Sequence, residues 1–269
     1  MGYYITVERN VNIFVEDINP NQKKTILFIH GWPVNHTMFE YQLNQLPNMG
    51  YRCIALDLRG YGKSDRPWND YSYDRLADDI RMVIDTLELE DIILAGFSMG
   101  GAISIRYMAR HQAHKVAKLG LISAAAPVFT KRPDFPYGLE MDEVNKLIKD
   151  TYSDRPKMLA DFGNIFFERY LTEEFKDWFR GLGIEASGHA TAMGLISLRD
   201  EDLRQNLSSI HTPTTIFHGK QDKICPFVLA ELMHDGISGS KLIPFTFSGH
   251  GLFYDELEKF NEELLRFIG

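Results

Sequence analysis

Short apolar segments alternate along most of this chain with amphipathic stretches of helical length, and this alternation restricts the fold more than any other feature. An N-terminal pair of alternating segments at 3–8 and 11–16 precedes an apolar run at 25–30. Similar apolar runs recur at 53–56, 92–95, 116–122, 214–218 and 242–245. Such runs suit strands buried on both faces of a parallel sheet, and the stretches between them suit covering helices. The sequence therefore predicts an α/β fold with a mostly parallel central sheet and helices on both faces.

One region interrupts this alternation. Between 127 and 207 no strand is predicted, and the helices expected there lie around 139–150, 156–170, 172–180 and 188–199. The region is also rich in aromatic residues. Open α/β sheets bind ligands at their carboxyl edge, where an inserted helical segment would form a cover. We therefore predict a core domain made of 1–126 and 208–269, with a helical cap insertion at 127–207.

Charge and composition argue against several classes of protein. The formal net charge of −8 repels polyanions, so neither nucleic acid nor an anionic membrane is an expected partner. The two cysteines and nine histidines show no metal-ligand spacing, so no metal is expected. The absence of a signal-peptide pattern and of a long apolar run predicts a cytoplasmic protein. A homo-oligomer is compatible with the sequence.

The pentapeptide Gly96-Phe97-Ser98-Met99-Gly100 has the pattern of a nucleophile elbow. A chain of this length contains Gly-x-Ser-x-Gly by chance about once in ten sequences. The assignment of an elbow therefore depends on the secondary structure expected on either side of the pattern. Here the pattern follows an apolar run and opens a helical stretch, which is the strand–turn–helix that an elbow requires. The glycines would leave room for a sharp turn that exposes the Ser98 hydroxyl. The alternative is a glycine-rich turn with a capping serine.

A serine hydroxyl needs a base, and the base needs an orienting acid. His250 lies in a glycine-flanked loop after the last expected strand, and Asp222 follows the preceding one. The chain order Ser98, Asp222, His250 is that of α/β-hydrolases and differs from the other triad folds. The alternative acids, which lack this placement after a strand, are Asp200, Asp202 and Asp235.

An oxyanion formed on attack by Ser98 needs two hydrogen-bond donors. The backbone N–H of Met99, directly after the serine, is one candidate. The other is the backbone N–H of Trp32, in the loop after the apolar run at 25–30. Pro33 has no N–H, and its ring favours an extended conformation at the preceding residue. Trp32 and Met99 are therefore the predicted oxyanion hole.

Five segments together resemble the α/β-hydrolase fold family, and within it the aryl esterases and cofactor-free haloperoxidases. They are HGWP at 30–33, DLRGYGKSDRP at 57–67, GFSMGG at 96–101, HGKQDKICP at 218–226 and SGHGLF at 248–253. The resemblance implies a triad of Ser98, Asp222 and His250, no cofactor, and an esterase that can also use peroxide. The similar epoxide hydrolases and haloalkane dehalogenases carry Asp in place of Ser98.

We therefore expect a serine hydrolase that cleaves small, uncharged apolar or aromatic carboxylic esters through an acyl-enzyme on Ser98, with perhydrolase side activity. The aromatic candidates for the substrate pocket are Phe97, Phe129, Phe162 and Phe166. Two alternatives stay open at this stage. One is a triad-bearing ligand receptor or stress-signalling protein on the same fold. The other is a hydrolase that cleaves carbon–carbon bonds with the same residues.

Overall fold

A single eight-stranded sheet runs through the computed structural model, which describes residues 1–269. In chain order the strands are β1 (Gly2–Glu8), β2 (Val11–Ile18), β3 (Thr25–Ile29), β4 (Arg52–Leu56), β5 (Ile92–Phe97), β6 (Val116–Ile122), β7 (Thr214–Gly219) and β8 (Lys241–Phe245). Their spatial order is β1-β2-β4-β3-β5-β6-β7-β8. β1 and β2 form an antiparallel hairpin, β2 runs antiparallel to β4, and the remaining pairs are parallel. The predicted α/β fold class is confirmed.

Helices cover the sheet and account for the amphipathic stretches. Outside the region between β6 and β7 they are α1 (Glu40–Leu43), α2 (Tyr73–Thr86), α3 (Met99–Arg110), α9 (Phe227–Gly236), α10 (Leu252–Asp255) and α11 (Leu257–Ile268). In α2 the side chain of Ser72 caps the helix by accepting a hydrogen bond from the Arg75 N–H. Leu76, Ile80 and Val83 are buried at helical spacing along the same helix. None of the helices is both long enough and apolar enough to cross a lipid bilayer.

The segment between β6 and β7 is helical. It contains α4 (Met141–Ser153), α5 (Arg155–Gly163), α6 (Glu173–Ile184), α7 (Gly188–Asp200) and α8 (Arg204–Leu207), and no strand of the sheet. The helix predicted at 156–170 ends at Gly163, and the following residues form an irregular connection to α6. That connection carries the aromatic residues Phe166, Phe167 and Tyr170.

Helix α7 is fixed to the loops at the carboxyl edge of the sheet. The indole Nε1–H of Trp32 donates to the carbonyl oxygen of Thr191 (2.8 Å), and the Tyr61 hydroxyl donates to that of Ala190 (3.0 Å). A side chain at Gly194 would collide with Tyr61 and Trp32, so the helix approaches these loops closely. The helical segment is thereby joined directly to the loop that carries Trp32.

The parallel strands bring distant parts of the chain to one edge. Trp32 follows β3, Ser98 follows β5, Asp222 follows β7 and His250 follows β8. Because the carboxyl ends of parallel strands meet at the same edge, these four residues can converge although they span most of the sequence.

Candidate active site

Ser98 lies at the sharp junction between β5 and α3. Its backbone has φ 51° and ψ −118°, a conformation that residues other than glycine rarely adopt. A side chain at Gly96 would collide with the backbone of Gly100 and with Ser104, and one at Gly100 would collide with the carbonyl groups that end β3. Both glycines of the pentapeptide are therefore required by the tightness of the turn.

Ser98, His250 and Asp222 form a continuous hydrogen-bonded chain. The distance from Ser98 Oγ to His250 Nε2 is 2.9 Å, and from His250 Nδ1 to Asp222 Oδ2 it is 2.8 Å. All three residues are buried. With a proton on Nδ1 directed at the carboxylate, the imidazole presents an unprotonated Nε2 that can accept the proton of the Ser98 hydroxyl.

The second oxygen of Asp222 is held by the backbone. Oδ1 accepts hydrogen bonds from the N–H groups of Ile224 (2.9 Å) and Cys225 (2.8 Å), which fixes the plane of the carboxylate. Burial acts to raise the pKa of Asp222, but interactions with His250 and His218 hold that pKa well below its usual range. Asp222 is therefore ionised at neutral pH.

His218 is a second buried histidine beside the carboxylate. Its Nε2 lies 2.7 Å from the Cys225 carbonyl oxygen, to which it donates, and 3.4 Å from Asp222 Oδ2. This contact closes the turn that carries Asp222. Only Asp222 is predicted as a site residue from the sequence of this segment. The position of His218 in the sequence does not indicate that it supports the turn.

The loop that carries His250 is held by carboxylates and by the connection between α5 and α6. The Gly249 N–H donates to Asp255 Oδ2 (2.8 Å), and the Gly251 N–H donates to the Phe166 carbonyl oxygen (2.9 Å). A side chain at Gly251 would collide with the ring of Phe167. The glycines that flank His250 thus allow the helical segment to pack directly onto the loop.

The loop after β3 passes directly beside the serine. A Cβ atom built on Gly31 would lie 2.9 Å from the Cβ of Ser98. The neighbouring backbone N–H of Trp32 is buried and makes no hydrogen bond within the protein. Met99 is the first residue of α3, where a helix leaves backbone N–H groups without intrahelical acceptors. Trp32 and Met99 therefore stay the predicted oxyanion donors, each in a segment that adjoins Ser98.

A small, narrow apolar cavity adjoins Ser98. Its walls are formed by Trp32, Ser98, Phe129, Leu147, Phe162, Leu195, Leu198 and Ile224. No charged side chain lines it, so a charged group placed there would be buried without a partner.

The four aromatic residues proposed for the pocket fall into two pairs. Phe129 and Phe162 line the cavity. Phe97 and Phe166 are fully buried, do not line the cavity, and pack against the His250 ring, each with its ring centroid 4.9 Å away. Their position suits them to hold the imidazole in place.

Comparison with known proteins agrees with this geometry. Residues 24–142 match the family model described as the alpha/beta hydrolase fold. The AB hydrolase superfamily protein YisY of Bacillus subtilis is 54% identical over 267 residues, which cover 99% of each chain. The chain belongs to the α/β-hydrolase family.

Two further proteins that are similar to this α/β-hydrolase carry names that describe an activity. The bifunctional esterase/perhydrolase DCH of Acinetobacter calcoaceticus is 31% identical, covering 100% of this chain and 99% of its own. The structure of the esterase EaEST from Exiguobacterium antarcticum superposes with a TM-score of 0.97 at 49% identity, covering 100% of this chain and 99% of its own. This α/β-hydrolase therefore has relatives among esterases and perhydrolases.

In this α/β-hydrolase two buried polar residues brace the loop that carries Trp32. Asp57 Oδ1 accepts hydrogen bonds from the backbone N–H (2.9 Å) and Nδ1 (2.7 Å) of His36. His30 donates from Nδ1 to the Gly31 carbonyl oxygen (2.9 Å) and accepts at Nε2 from the Leu58 N–H (2.9 Å). The His30 imidazole is therefore neutral, with its proton on Nδ1.

His30 gives this α/β-hydrolase a specific dependence of stability on pH. Burial lowers the pKa of His30 to about 4, whereas the unfolded residue titrates near about 6.5. As the pH falls from about 6.5 towards about 4, the unfolded chain takes up a proton that the folded chain does not, and stability is lost across that window. At pH 5 we expect His30 to account for a loss of about 2 kcal/mol relative to pH 7.5.

The measurement is urea unfolding at both pH values for wild type, His30→Gln and His211→Gln. The difference in unfolding free energy between the two pH values should shrink by about 2 kcal/mol in His30→Gln. It should be unchanged in His211→Gln, whose residue is exposed. An unaltered pH difference in His30→Gln would show that the residue is not buried in its neutral form.

Proposed function

We propose that this chain is a serine esterase that cleaves small, uncharged apolar or aromatic carboxylic esters through an acyl-enzyme on Ser98. The observation that carries the proposal is the hydrogen-bonded chain from Ser98 Oγ through His250 to Asp222. The buried and unpaired N–H of Trp32 beside the serine supplies the complementary donor for an oxyanion.

In the first half of the reaction, Ser98 Oγ attacks the ester carbonyl carbon while His250 Nε2 takes the hydroxyl proton. The carbonyl oxygen becomes an oxyanion, which the N–H groups of Trp32 and Met99 stabilise. Collapse of the tetrahedral intermediate breaks the bond to the alkoxy oxygen, and the imidazolium returns the proton to the leaving alcohol. The carboxylate of Asp222 stabilises the transient positive charge on His250.

In the second half, water attacks the acyl-enzyme with His250 again acting as the base, and the carboxylic acid leaves. Hydrogen peroxide in place of water would give a peracid by the same steps. The perhydrolase named among the relatives supports this as a side activity of the same site.

The substrate class follows from the cavity beside Ser98. Its volume is small, and its walls are aliphatic and aromatic side chains without a charge. An apolar acyl or aryl group would be favourably buried there, whereas a carboxylate would lose its hydration without gaining a partner.

Two p-nitrophenyl esters with four-carbon acyl chains test this proposal: the butyrate and the hemisuccinate, which carries a terminal carboxylate. We expect kcat/KM for the butyrate to exceed that for the hemisuccinate by about tenfold or more, because of the cost of burying an unpaired charge. Peracid formation from acetic acid and hydrogen peroxide, through an acyl-enzyme that forms with release of water, should be faster with wild type than with Ser98→Ala. No ester turnover above that of Ser98→Ala, or a preference for the hemisuccinate, would refute the proposal.

A further inference from the structure

A second depression lies in the helical segment, separate from the cavity beside Ser98. This depression runs between α5, the connection at 164–172 and α6, and Pro33 and Val34 also line it. We refer to it as the groove. Pro33 and Val34 belong to the same loop that carries Trp32. The groove is open to solvent on its outer side, whereas Ser98 itself is buried.

Phe162 is the one residue that lines both the groove and the cavity beside Ser98. It lies near the end of α5 and is buried. Its ring packs edge-on against Trp32, with a centroid distance of 5.0 Å. The ring therefore stands as a partition between the two spaces.

The groove suits an apolar chain. Leu159, Phe167, Leu171 and Phe179 contribute apolar side chains to its wall. The charged side chains around it are engaged with neighbours, since Lys176 pairs with Glu173 (2.7 Å) and Arg180 with Asp177 (2.7 Å).

The remaining cation of the groove is Arg169. Its guanidinium lies 4.9 Å from the centre of the Tyr254 ring, and Nη1 donates to the Tyr254 carbonyl oxygen (3.0 Å). With these cations engaged by neighbouring groups, the apolar side chains of the groove wall are available to the apolar part of a ligand.

We propose that Phe162 is the specificity-determining residue that sets the length of ester this site accepts. Its ring closes the cavity beside Ser98 and confines the wild-type protein to short esters. Removing the ring joins the cavity to the groove, which then takes the remote part of an ester with a long apolar chain. This inference rests on the proposed esterase function and goes beyond it by naming the residue that limits chain length.

The test compares kcat/KM for p-nitrophenyl acetate and octanoate, and for ethyl and octyl butyrate, in wild type, Phe162→Ala and Phe162→Leu. In at least one series we expect Phe162→Ala to raise the long-to-short ratio by about tenfold or more, since the groove would bury additional methylene groups of the long ester. Phe162→Leu should give a smaller rise in the same series. This variant keeps an apolar side chain and guards against loss of folding in the alanine variant.

Two matched variants make the result specific. Phe129 lines the cavity but not the groove, so Phe129→Ala enlarges the cavity without joining it to the groove and should raise the ratio less than Phe162→Ala does. Gly163 lines the groove, and a Cβ atom there would meet nothing within 4 Å, so a leucine can project into that space. Adding Gly163→Leu to Phe162→Ala should reverse the gain for the long ester.

The outcomes separate this inference from the proposed function. If wild type hydrolyses the acetate no faster than Ser98→Ala, the esterase proposal itself fails. If wild type hydrolyses the acetate but neither Phe162 variant raises the long-to-short ratio in either series, the length limit lies elsewhere. An equal rise in Phe129→Ala would also overturn the role assigned to Phe162.

Discussion

Ser98→Ala is expected to lower kcat for p-nitrophenyl butyrate by about 10⁴-fold or more. The hydroxyl is the only group within hydrogen-bonding distance of His250 Nε2 that could attack a carbonyl carbon. Its loss removes the acyl-enzyme pathway altogether. Steady-state hydrolysis by purified protein, corrected for the rate without enzyme, measures the effect.

Ser123 provides the matched control for that substitution. It is a buried serine directly after β6, at the neighbouring strand end, and its hydroxyl has no hydrogen-bond partner. Ser123→Ala should therefore retain kcat within about threefold, because removal of an unpaired buried hydroxyl breaks no hydrogen bond. Loss of activity in both variants would indicate a general structural defect, and retained activity in Ser98→Ala would remove the serine from the mechanism.

Asp222→Asn is expected to lower kcat by about 10³–10⁴-fold while leaving the fold intact. The N–H groups of Ile224 and Cys225 both point at Oδ1, so the carbonyl oxygen of the new amide must face them. Its NH₂ group then faces His250 Nδ1 and donates to it. This favours the imidazole tautomer with its proton on Nε2, which cannot accept the hydroxyl proton of Ser98.

The control for the acid is Asp202→Asn. Asp202 is one of the alternative acids in the sequence, and in the structure it pairs with Arg204 (2.7 Å) away from His250. Its replacement should leave kcat unchanged within about twofold, since a partly exposed ion pair outside the triad contributes little to catalysis. A drop in Asp202→Asn comparable to that in Asp222→Asn would contradict the assignment of the acid. Thermal unfolding of both variants checks that neither has lost its structure.

The parts of the fold that could be predicted are those encoded by local patterns. Buried strands such as β3 and β5 are continuous apolar runs, and the amphipathic spacing of α2 is regular over its whole length. The nucleophile elbow is predictable from the sequence because its turn requires Gly96 and Gly100 within one short segment. Local sequence and final structure agree wherever a few consecutive residues determine the conformation.

The parts that could not be predicted depend on packing between distant segments. Phe162 and Phe166 are the same residue type four positions apart. Phe162 lines the cavity, whereas Phe166 packs on the His250 ring. That difference arises because α5 ends at Gly163 and the chain changes direction. His218 likewise acts through a contact with Cys225 that closes a turn. No periodicity in the sequence reports such contacts.

The most direct test of the central claim is to identify the residue that becomes covalently modified. Wild-type protein would be treated with an organophosphate ester whose adduct on serine hydrolyses slowly. Intact-mass measurement and peptide mapping would follow. We predict one phosphoryl adduct per chain, located on Ser98, with activity lost in proportion to labelling and with no adduct on Ser98→Ala. An adduct on another residue that accounts for the lost activity, or inactivation without modification of Ser98, would contradict the account.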